Sequence, residues 1–159
     1  MEKKESIKLI GDVEIKIDYN DGRKQEKICF KNTVLNTGRN AFASILANEI
    51  GNDFDFYISR MLFGSNGTDS GSPKYVNSNR TGLFSGSPAA NKPVSATIDG
   101  TSLNQVVFNT VLTFTEANTT LNEIALQMSN GDLYSMTTFA DVNKTSAMQL
   151  TFSWRLTFV

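Results

Sequence analysis

The feature that most constrains the fold is the alternation of apolar and polar residues near the end of the chain. From Ala147 to Val159, residues of one parity are large and apolar, and those between them are polar or charged. The apolar set is Met148, Leu150, Phe152, Trp154, Leu156 and Phe158. Because side chains alternate between the faces of a strand, this pattern predicts one long strand with Trp154 in the core and Arg155 at the surface. A strand with such an apolar face must pack against a second layer of structure.

A similar alternation near the start of the chain predicts an N-terminal hairpin. Apolar side chains alternate with mostly charged ones over residues 9–19. An Asp-Gly pair follows at 21–22, and it favours a tight type I′ turn because both central positions of that turn need a positive φ. The return strand is predicted at about 24–33, with Ile28 and Phe30 on one face.

After the hairpin, the apolar period changes from two to between three and four. From Arg39 onward, the apolar residues are Ala41, Phe42, Ile45, Leu46 and Ile50. This stripe predicts a helix that is capped by Asn36 or Thr37 and followed by Gly51. A helix of roughly a dozen residues is marginal alone, so its stripe is expected to pack on the sheet.

The rest of the chain is predicted to form strands joined by short turns. The predicted strands are 56–63, apolar on both faces, then 94–98, 105–115, 121–128, 133–140 and the final strand, with turns at 129–132 and 141–144. We therefore predict one mainly β domain over residues 1–159. Its expected architecture is an antiparallel β-sandwich, jelly-roll or Greek-key like, of seven or eight strands with one short α-helix packed on the sheet.

One long segment, at about 64–93, does not follow this pattern. It is rich in Gly, Ser and Asn, and it contains all three Pro residues of the chain. Loops of this length are uncommon inside a compact domain and are often functional. Its apolar residues Tyr75, Leu83 and Phe84 are therefore the predicted protein-interface residues. The loop is expected to be mobile in the free subunit, because it offers few apolar anchors.

The composition gives little support to catalysis or to nucleic-acid or membrane binding. The chain has no His, and its one Cys, Cys29, lies in the predicted hairpin, where a structural thiol is expected. A net charge of −1 offers no electrostatic attraction to nucleic acid or an anionic membrane. The start of the chain lacks the apolar segment of a signal peptide, and no apolar run is long enough for a membrane span. Cytoplasmic synthesis is therefore expected.

Three residue patterns resemble sites but lack the partners those sites require. The Gly-rich segment after residue 63 has no Lys-Ser/Thr pair and no following helix, which a phosphate-binding loop needs. Asp53, Asp55 and Asp69 lack the ligand spacing of a calcium loop. Glu116 and Glu123 form no evident catalytic pair, and Glu123 is expected to be solvated or salt-bridged at the start of a strand. No catalytic residue, cofactor or metal is predicted.

Three segments of the sequence, taken together, identify a family resemblance more specifically than any one of them does alone. The first is Lys31-Asn-Thr-Val-Leu-Asn-Thr-Gly-Arg-Asn-Ala-Phe-Ala-Ser-Ile-Leu-Ala, and the second is Met61-Leu-Phe-Gly-Ser-Asn-Gly-Thr. The third joins Leu121-Asn-Glu-Ile-Ala-Leu-Gln, Leu133-Tyr-Ser-Met-Thr-Thr-Phe-Ala-Asp-Val-Asn-Lys and Leu150-Thr-Phe-Ser-Trp-Arg-Leu-Thr-Phe. In this order they resemble segments of a broad family of small virion proteins of tailed bacteriophages.

The resemblance implies a non-enzymatic structural component of a tailed-phage virion, first of all a capsid auxiliary or decoration protein that acts by protein–protein association. A tail, collar or fibre-attachment protein is the alternative within this class. The implied partners are other virion proteins and further copies of the chain, with no nucleic acid and no membrane. The implied location is the virion, after synthesis in the host cytoplasm. A rival of another class is a carbohydrate-binding β-sandwich that reads host glycans with exposed aromatic residues such as Tyr57, Tyr75 or Phe84.

Overall fold

Two antiparallel five-stranded sheets form the body of the protein in the computed structural model, which describes residues 8–47, 56–98, 101 and 104–159. The elements are β1 (Leu9–Tyr19), β2 (Glu26–Lys31), β3 (Thr33–Val34), α1 (Asn36–Ala47), β4 (Ile58–Gly64), β5 (Thr68–Asp69), β6 (Ser72–Pro73), β7 (Ala90–Pro93), β8 (Ser95–Ile98), β9 (Gln105–Leu112), β10 (Thr120–Met128), β11 (Leu133–Asn143) and β12 (Met148–Phe158). Sheet A has the order β2-β1-β12-β9-β8, and sheet B has the order β3-β11-β10-β4-β7. The predicted β-sandwich with one short helix is confirmed. The predicted number of seven or eight strands is wrong, since the described residues form twelve, and the short strands β5, β6 and β7 lie within the segment predicted as a loop.

The final strand, β12, lies in the middle of sheet A, as its apolar face requires. It pairs with β1 on one side and with β9 on the other, which places Trp154 between Val13 and Phe108. Trp154 is fully buried and Arg155 is exposed, so both predictions are confirmed. Burying one such large apolar side chain contributes roughly 1.5–3 kcal/mol.

After β9, the chain reaches this position by crossing twice between the sheets. It leaves sheet A after β9, forms the β10–β11 hairpin in sheet B, and returns as β12 beside β9. The rings of Phe63 in sheet B and Phe152 in sheet A lie 4.7 Å apart between their centroids, so they join the two layers of the core.

Each side of the sandwich is closed by one segment that belongs to both sheets. On one side, β2 of sheet A continues through Asn32 into β3 of sheet B. On the other side, β7 of sheet B continues through Val94 into β8 of sheet A. Strands that switch sheets in this way make the corners of a sandwich and hold its two layers in register.

The central strands of sheet B, β4 and β10, are buried on both of their faces. Met61 and Phe63 of β4 belong to the core between the sheets, whereas Leu62 belongs to a second apolar cluster on the other face. That second cluster also contains Val76 and Leu83, which belong to the long loop. The prediction that this strand is apolar on both faces is therefore confirmed, and the loop is one of the elements that cover its second face.

The N-terminal hairpin is confirmed. β1 and β2 pair antiparallel, and Gly22 in the turn has a φ of +86°. The predicted type I′ turn is wrong, because Asp21 does not have a positive φ and residues 20–25 join the two strands. Ile28 and Phe30 pack on the main core. Cys29 is exposed, contrary to the expectation of a structural thiol, because it has the opposite parity on an edge strand.

The helix differs from its prediction in position and in contacts. It starts at Asn36, and the hydroxyl of Thr37 donates to the carbonyl of Leu133 instead of accepting from the helix backbone. Ile45 and Leu46 are 48% and 70% exposed, so only part of the predicted stripe is buried. The reason is that the helix approaches the sheet through its first turn, where a Cβ on Gly38 would lie 2.4 Å from the carbonyl oxygen of Tyr134.

Two further boundaries need correction or comment. β11 runs to Asn143, so the last turn lies at 144–147 and not at the predicted 141–144. Residues 50 and 51, the predicted end of the helix, lie outside the described residues. In the described part of the chain no helix is long and apolar enough to cross a membrane.

Candidate functional site: the anchored loop

The three predicted interface residues occupy different environments within the long loop. Tyr75 is 85% exposed, and Phe84 is half-buried. Leu83 is only 5% exposed and packs with Val76 under the loop, so it is not a surface contact in this conformation. Leu83 and Val76 instead hold the loop to sheet B by apolar packing, a role that the sequence did not predict.

A fully buried carboxylate, that of Glu123 on β10, holds both ends of this loop. Oε1 accepts the backbone N–H of Ser85 at 2.8 Å and that of Asn66 at 3.2 Å. Oε2 accepts the N–H of Phe84 at 2.6 Å. Glu123 has no exposed surface, so the expectation of a solvated or salt-bridged side chain is wrong. Three backbone donors satisfy the carboxylate instead, since an ionised carboxylate is an acceptor with room for several N–H groups.

The neighbouring residue, Asn122, holds the next part of the loop. Its Oδ1 accepts the N–H of Gly67 at 2.6 Å, and its Nδ2 donates to Thr68 Oγ1 at 3.1 Å and to Asp141 Oδ1 at 2.9 Å. Consecutive strand residues normally face opposite sides of a sheet. The register of β10 with β11 shifts between Leu121 and Glu123, and such a bulge re-aims side chains so that both can meet one loop. We call Asn122 and Glu123 the loop anchor.

Two glycines allow the loop to approach the anchor closely. A Cβ on Gly64 would lie 2.4 Å from Glu123 Oε1, and a Cβ on Gly67 would lie 2.3 Å from the backbone oxygen of Asn122. Neither distance is compatible with a side chain. The Gly-rich segment after β4 is thus explained by backbone packing on β10.

An aromatic and basic patch covers the outside of the anchored loop. The Arg80 guanidinium lies 3.6 Å from the centroid of the Phe84 ring, and the Lys74 ammonium lies 5.1 Å from it. Lys74 Nζ also donates to the carbonyl of Asn66 at 2.7 Å, which ties the middle of the loop to its first residues. Tyr75 follows Lys74 and projects into solvent. We call Lys74, Tyr75, Arg80 and Phe84 the loop patch.

The third aromatic of the glycan hypothesis, Tyr57, lies at the other end of β10. Its carbonyl accepts the N–H of Ser129 at the β10–β11 turn. Tyr75 instead lies beside the anchor, because the hydroxyl of Thr138, the β11 partner of Glu123, donates to the carbonyl of Lys74. The structure therefore does not bring Tyr57 and Tyr75 together on one surface.

Glu116 is engaged separately from Glu123, in the connection between β9 and β10. It pairs with Lys92 at 2.5 Å and accepts the N–H of Thr113 at 2.9 Å. The Lys92 hydrogen bond, followed by the bond from Thr113, holds the pKa of Glu116 at about 2. Nearby, Lys144 is buried and donates to the carbonyl of Thr113 and to Asn118 Oδ1, and burial lowers the pKa of its ammonium.

The contacts of Glu116, Lys92 and Lys144 hold the backbone of this connection in place. The Asp residues considered as calcium ligands do not form a metal site in the described part of the chain. Within residues 8–47, 56–98, 101 and 104–159, no cluster of three or more His, Cys, Asp or Glu side chains could hold a metal ion. Asp69 is exposed on β5, whereas Asp53 and Asp55 lie outside the described residues.

Comparisons of the chain with models of protein families, with curated proteins and with solved structures found no match. The resemblance to phage virion proteins therefore stays a prediction. The geometry of the loop anchor and the loop patch is the basis for the functional interpretation.

Proposed function

We propose that this protein is a non-enzymatic structural component of a tailed-phage virion, and that it acts as a capsid auxiliary or decoration protein by protein–protein association. In this proposal it is made in the host cytoplasm and assembles with other virion proteins and with further copies of itself. One observation carries the proposal. The segment Met61–Thr68 and the segment Leu121–Gln127, both part of the phage resemblance, contact each other through the loop anchor.

The loop anchor supports an association function because it prepares a binding surface in advance. Ordering a flexible loop at an interface costs free energy, and a preorganised loop avoids much of that cost. The backbone N–H groups of Asn66 and Phe84 donate to the buried carboxylate of Glu123 and fix the loop within the free subunit. The loop patch then presents Tyr75 and Arg80, and Tyr and Arg are enriched among the residues that dominate interface energies.

The number of copies per particle tests the proposal and distinguishes a capsid location from one in the tail, the collar or the fibre attachment. Quantitative mass spectrometry of virions from the phage that encodes the chain would compare this protein with the major capsid protein. Hundreds of copies are expected for a decoration protein. About a dozen copies would move it to the tail, the collar or the fibre attachment. Absence from purified particles would overturn the virion proposal.

A paired substitution tests whether the loop patch is the interface. Tyr75→Ala should reduce incorporation into particles, whereas Tyr57→Ala, which also removes an exposed tyrosine, should not. Equal incorporation of both variants would show that association uses another surface.

The glycan-binding rival makes a different prediction for the same residue. A carbohydrate-binding sandwich would show saturable binding to a host surface glycan that is lost in Tyr75→Ala, without any requirement for particle assembly. The Arg80 guanidinium over the Phe84 ring favours the association proposal, because that aromatic face is already occupied within the chain.

A further inference from the structure

A cleft of about 550 Å³ opens where helix α1 meets the end of the sandwich. Its apolar walls come from Leu9, Val34, Phe42 and Phe158, and the rings of Phe42 and Phe158 are stacked with 6.0 Å between their centroids. None of its lining residues belongs to the long loop. This cleft is therefore a second candidate surface, separate from the loop patch, and its volume is typical of ligand-binding sites.

Two basic side chains line the cleft. Lys8 and Arg39 are both exposed, and among the residues that the structure describes no Asp or Glu side chain lines the cleft. Within the described part of the chain, neither cation forms a salt bridge. Two unpaired cations beside an apolar cavity are complementary to a group that combines an apolar body with a carboxylate.

The apolar surface continues beyond the cleft along the helix. Ile45 and Leu46 lie three and four residues after Phe42, so they share its side of the helix. They are 48% and 70% exposed. A small molecule that filled the cleft would leave this stripe uncovered, whereas a polypeptide segment could enter the cleft and also lie along the stripe.

We propose that this cleft binds a segment of a partner protein in which a large apolar residue stands next to acidic residues. The apolar side chain enters between Phe42 and Val34, and the carboxylates face Arg39 and Lys8. The proposal concerns a site other than the loop patch and does not require the chain to be a virion component.

The test uses a defined peptide and the full chain. The probe is the N-acetylated, C-amidated tetrapeptide Leu-Phe-Asp-Asp, titrated while backbone amide shifts are followed by NMR. Saturable shifts are expected at residues that line the cleft, and raising the salt concentration should weaken binding. The same peptide with Asn in place of both Asp residues should bind roughly tenfold more weakly.

Two variants of the chain locate the binding site. They distinguish the effect of a charge at the cleft from the effect of the same charge change elsewhere on the protein. Arg39→Glu should lower the affinity roughly tenfold, whereas Lys24→Glu, the same charge change on the exposed hairpin turn, should leave it nearly unchanged. Both positions are exposed, so both variants should unfold at the wild-type temperature. An absence of saturable shifts, or equal loss in both variants, would overturn the proposal. Equally tight binding of free 3-phenylpropionate would overturn the assignment to a protein segment.

Discussion

The carboxylate of Glu123 accepts the backbone N–H of Phe84 at 2.6 Å, although 39 positions separate the two residues in the chain. The same carboxylate binds the N–H of Asn66 and of Ser85, so one side chain fixes the entry and the exit of the long loop. Because the site is buried, each of these donors would lose its partner if the carboxylate were removed, and water could not replace it without opening the loop.

Replacing Glu123 with Gln should therefore destabilise the fold. Gln keeps one acceptor oxygen but places an NH2 group against a backbone donor, which leaves at least one buried N–H unpaired. We expect a loss of about 1–3 kcal/mol in the free energy of unfolding, measured by urea denaturation. Glu26→Gln is the matched control, because Glu26 is exposed on β2, and it should stay within about 0.5 kcal/mol of the wild type. Similar losses in both variants would argue against the anchor.

Hydrogen exchange should show that the loop is divided into a protected base and a mobile tip. The amides of Asn66, Gly67, Phe84 and Ser85 donate to the anchor and should exchange slowly in the isolated subunit. Gly71, at the exposed tip, should exchange quickly. The sequence alone predicts mobility throughout the loop, and fast exchange at the four anchored amides would support that expectation instead.

Gly67→Ala should be more harmful than Gly82→Ala in the same loop. The added Cβ at residue 67 would lie 2.3 Å from the backbone oxygen of Asn122, whereas nothing lies within 4 Å of a Cβ at residue 82. Overpacking of this kind costs about 1–3 kcal/mol. Thermal unfolding should thus show a clear loss for the first variant and almost none for the second. Comparable melting temperatures for the two variants would contradict the packing of the loop on β10.

The Glu116–Lys92 pair should contribute an acid-sensitive part of the stability. The folded-state pKa of Glu116 is about 2, below the ordinary value of 4.5, so the unfolded chain takes up this proton more readily. The contribution is complete above pH 4.5 and is lost as the pH falls towards 2. Since the Glu116 side chain is 35% exposed, the contribution should be below about 1 kcal/mol.

Glu116→Gln isolates this contribution. Urea denaturation at a series of pH values should give a shallower decline in stability between pH 4.5 and 2 than in the wild type. Glu14→Gln, which alters an exposed pair with Lys27 on sheet A, serves as the control. Parallel curves for wild type and Glu116→Gln would show that the Lys92 pair does not set the pKa.

Much of the architecture follows from local patterns in the sequence. Alternation of apolar residues identifies β1 and β12, and Gly22 and Gly131 mark hairpin turns at which the structure has positive φ. Period-two patterns are reliable here because each strand has one face on a shared core. The helix was also predictable as an element, since its apolar spacing differs from that of the strands.

The loop anchor could not be predicted in this way. Glu123 occurs in an apolar strand, and sequence context suggests a solvated charge, because a buried carboxylate normally costs free energy. Its burial becomes favourable only where three backbone donors meet it, and these come from residues 66, 84 and 85. The Gly-rich segment after β4 was the one available signal, since Gly permits close backbone approach.

The sequence by itself determined the long strands, the positions of two hairpin turns, and the need for a second sheet to cover an apolar face, but it did not indicate the short strands β3, β5, β6 and β7. Only the tertiary structure decided that Leu83 is buried while Tyr75 is exposed. It also decided that the apolar stripe of α1 remains exposed at Ile45 and Leu46. The physical reason is one of range. Strand and turn preferences arise between neighbouring residues, whereas the burial of a loop residue or a carboxylate depends on partners that the fold brings from distant parts of the chain.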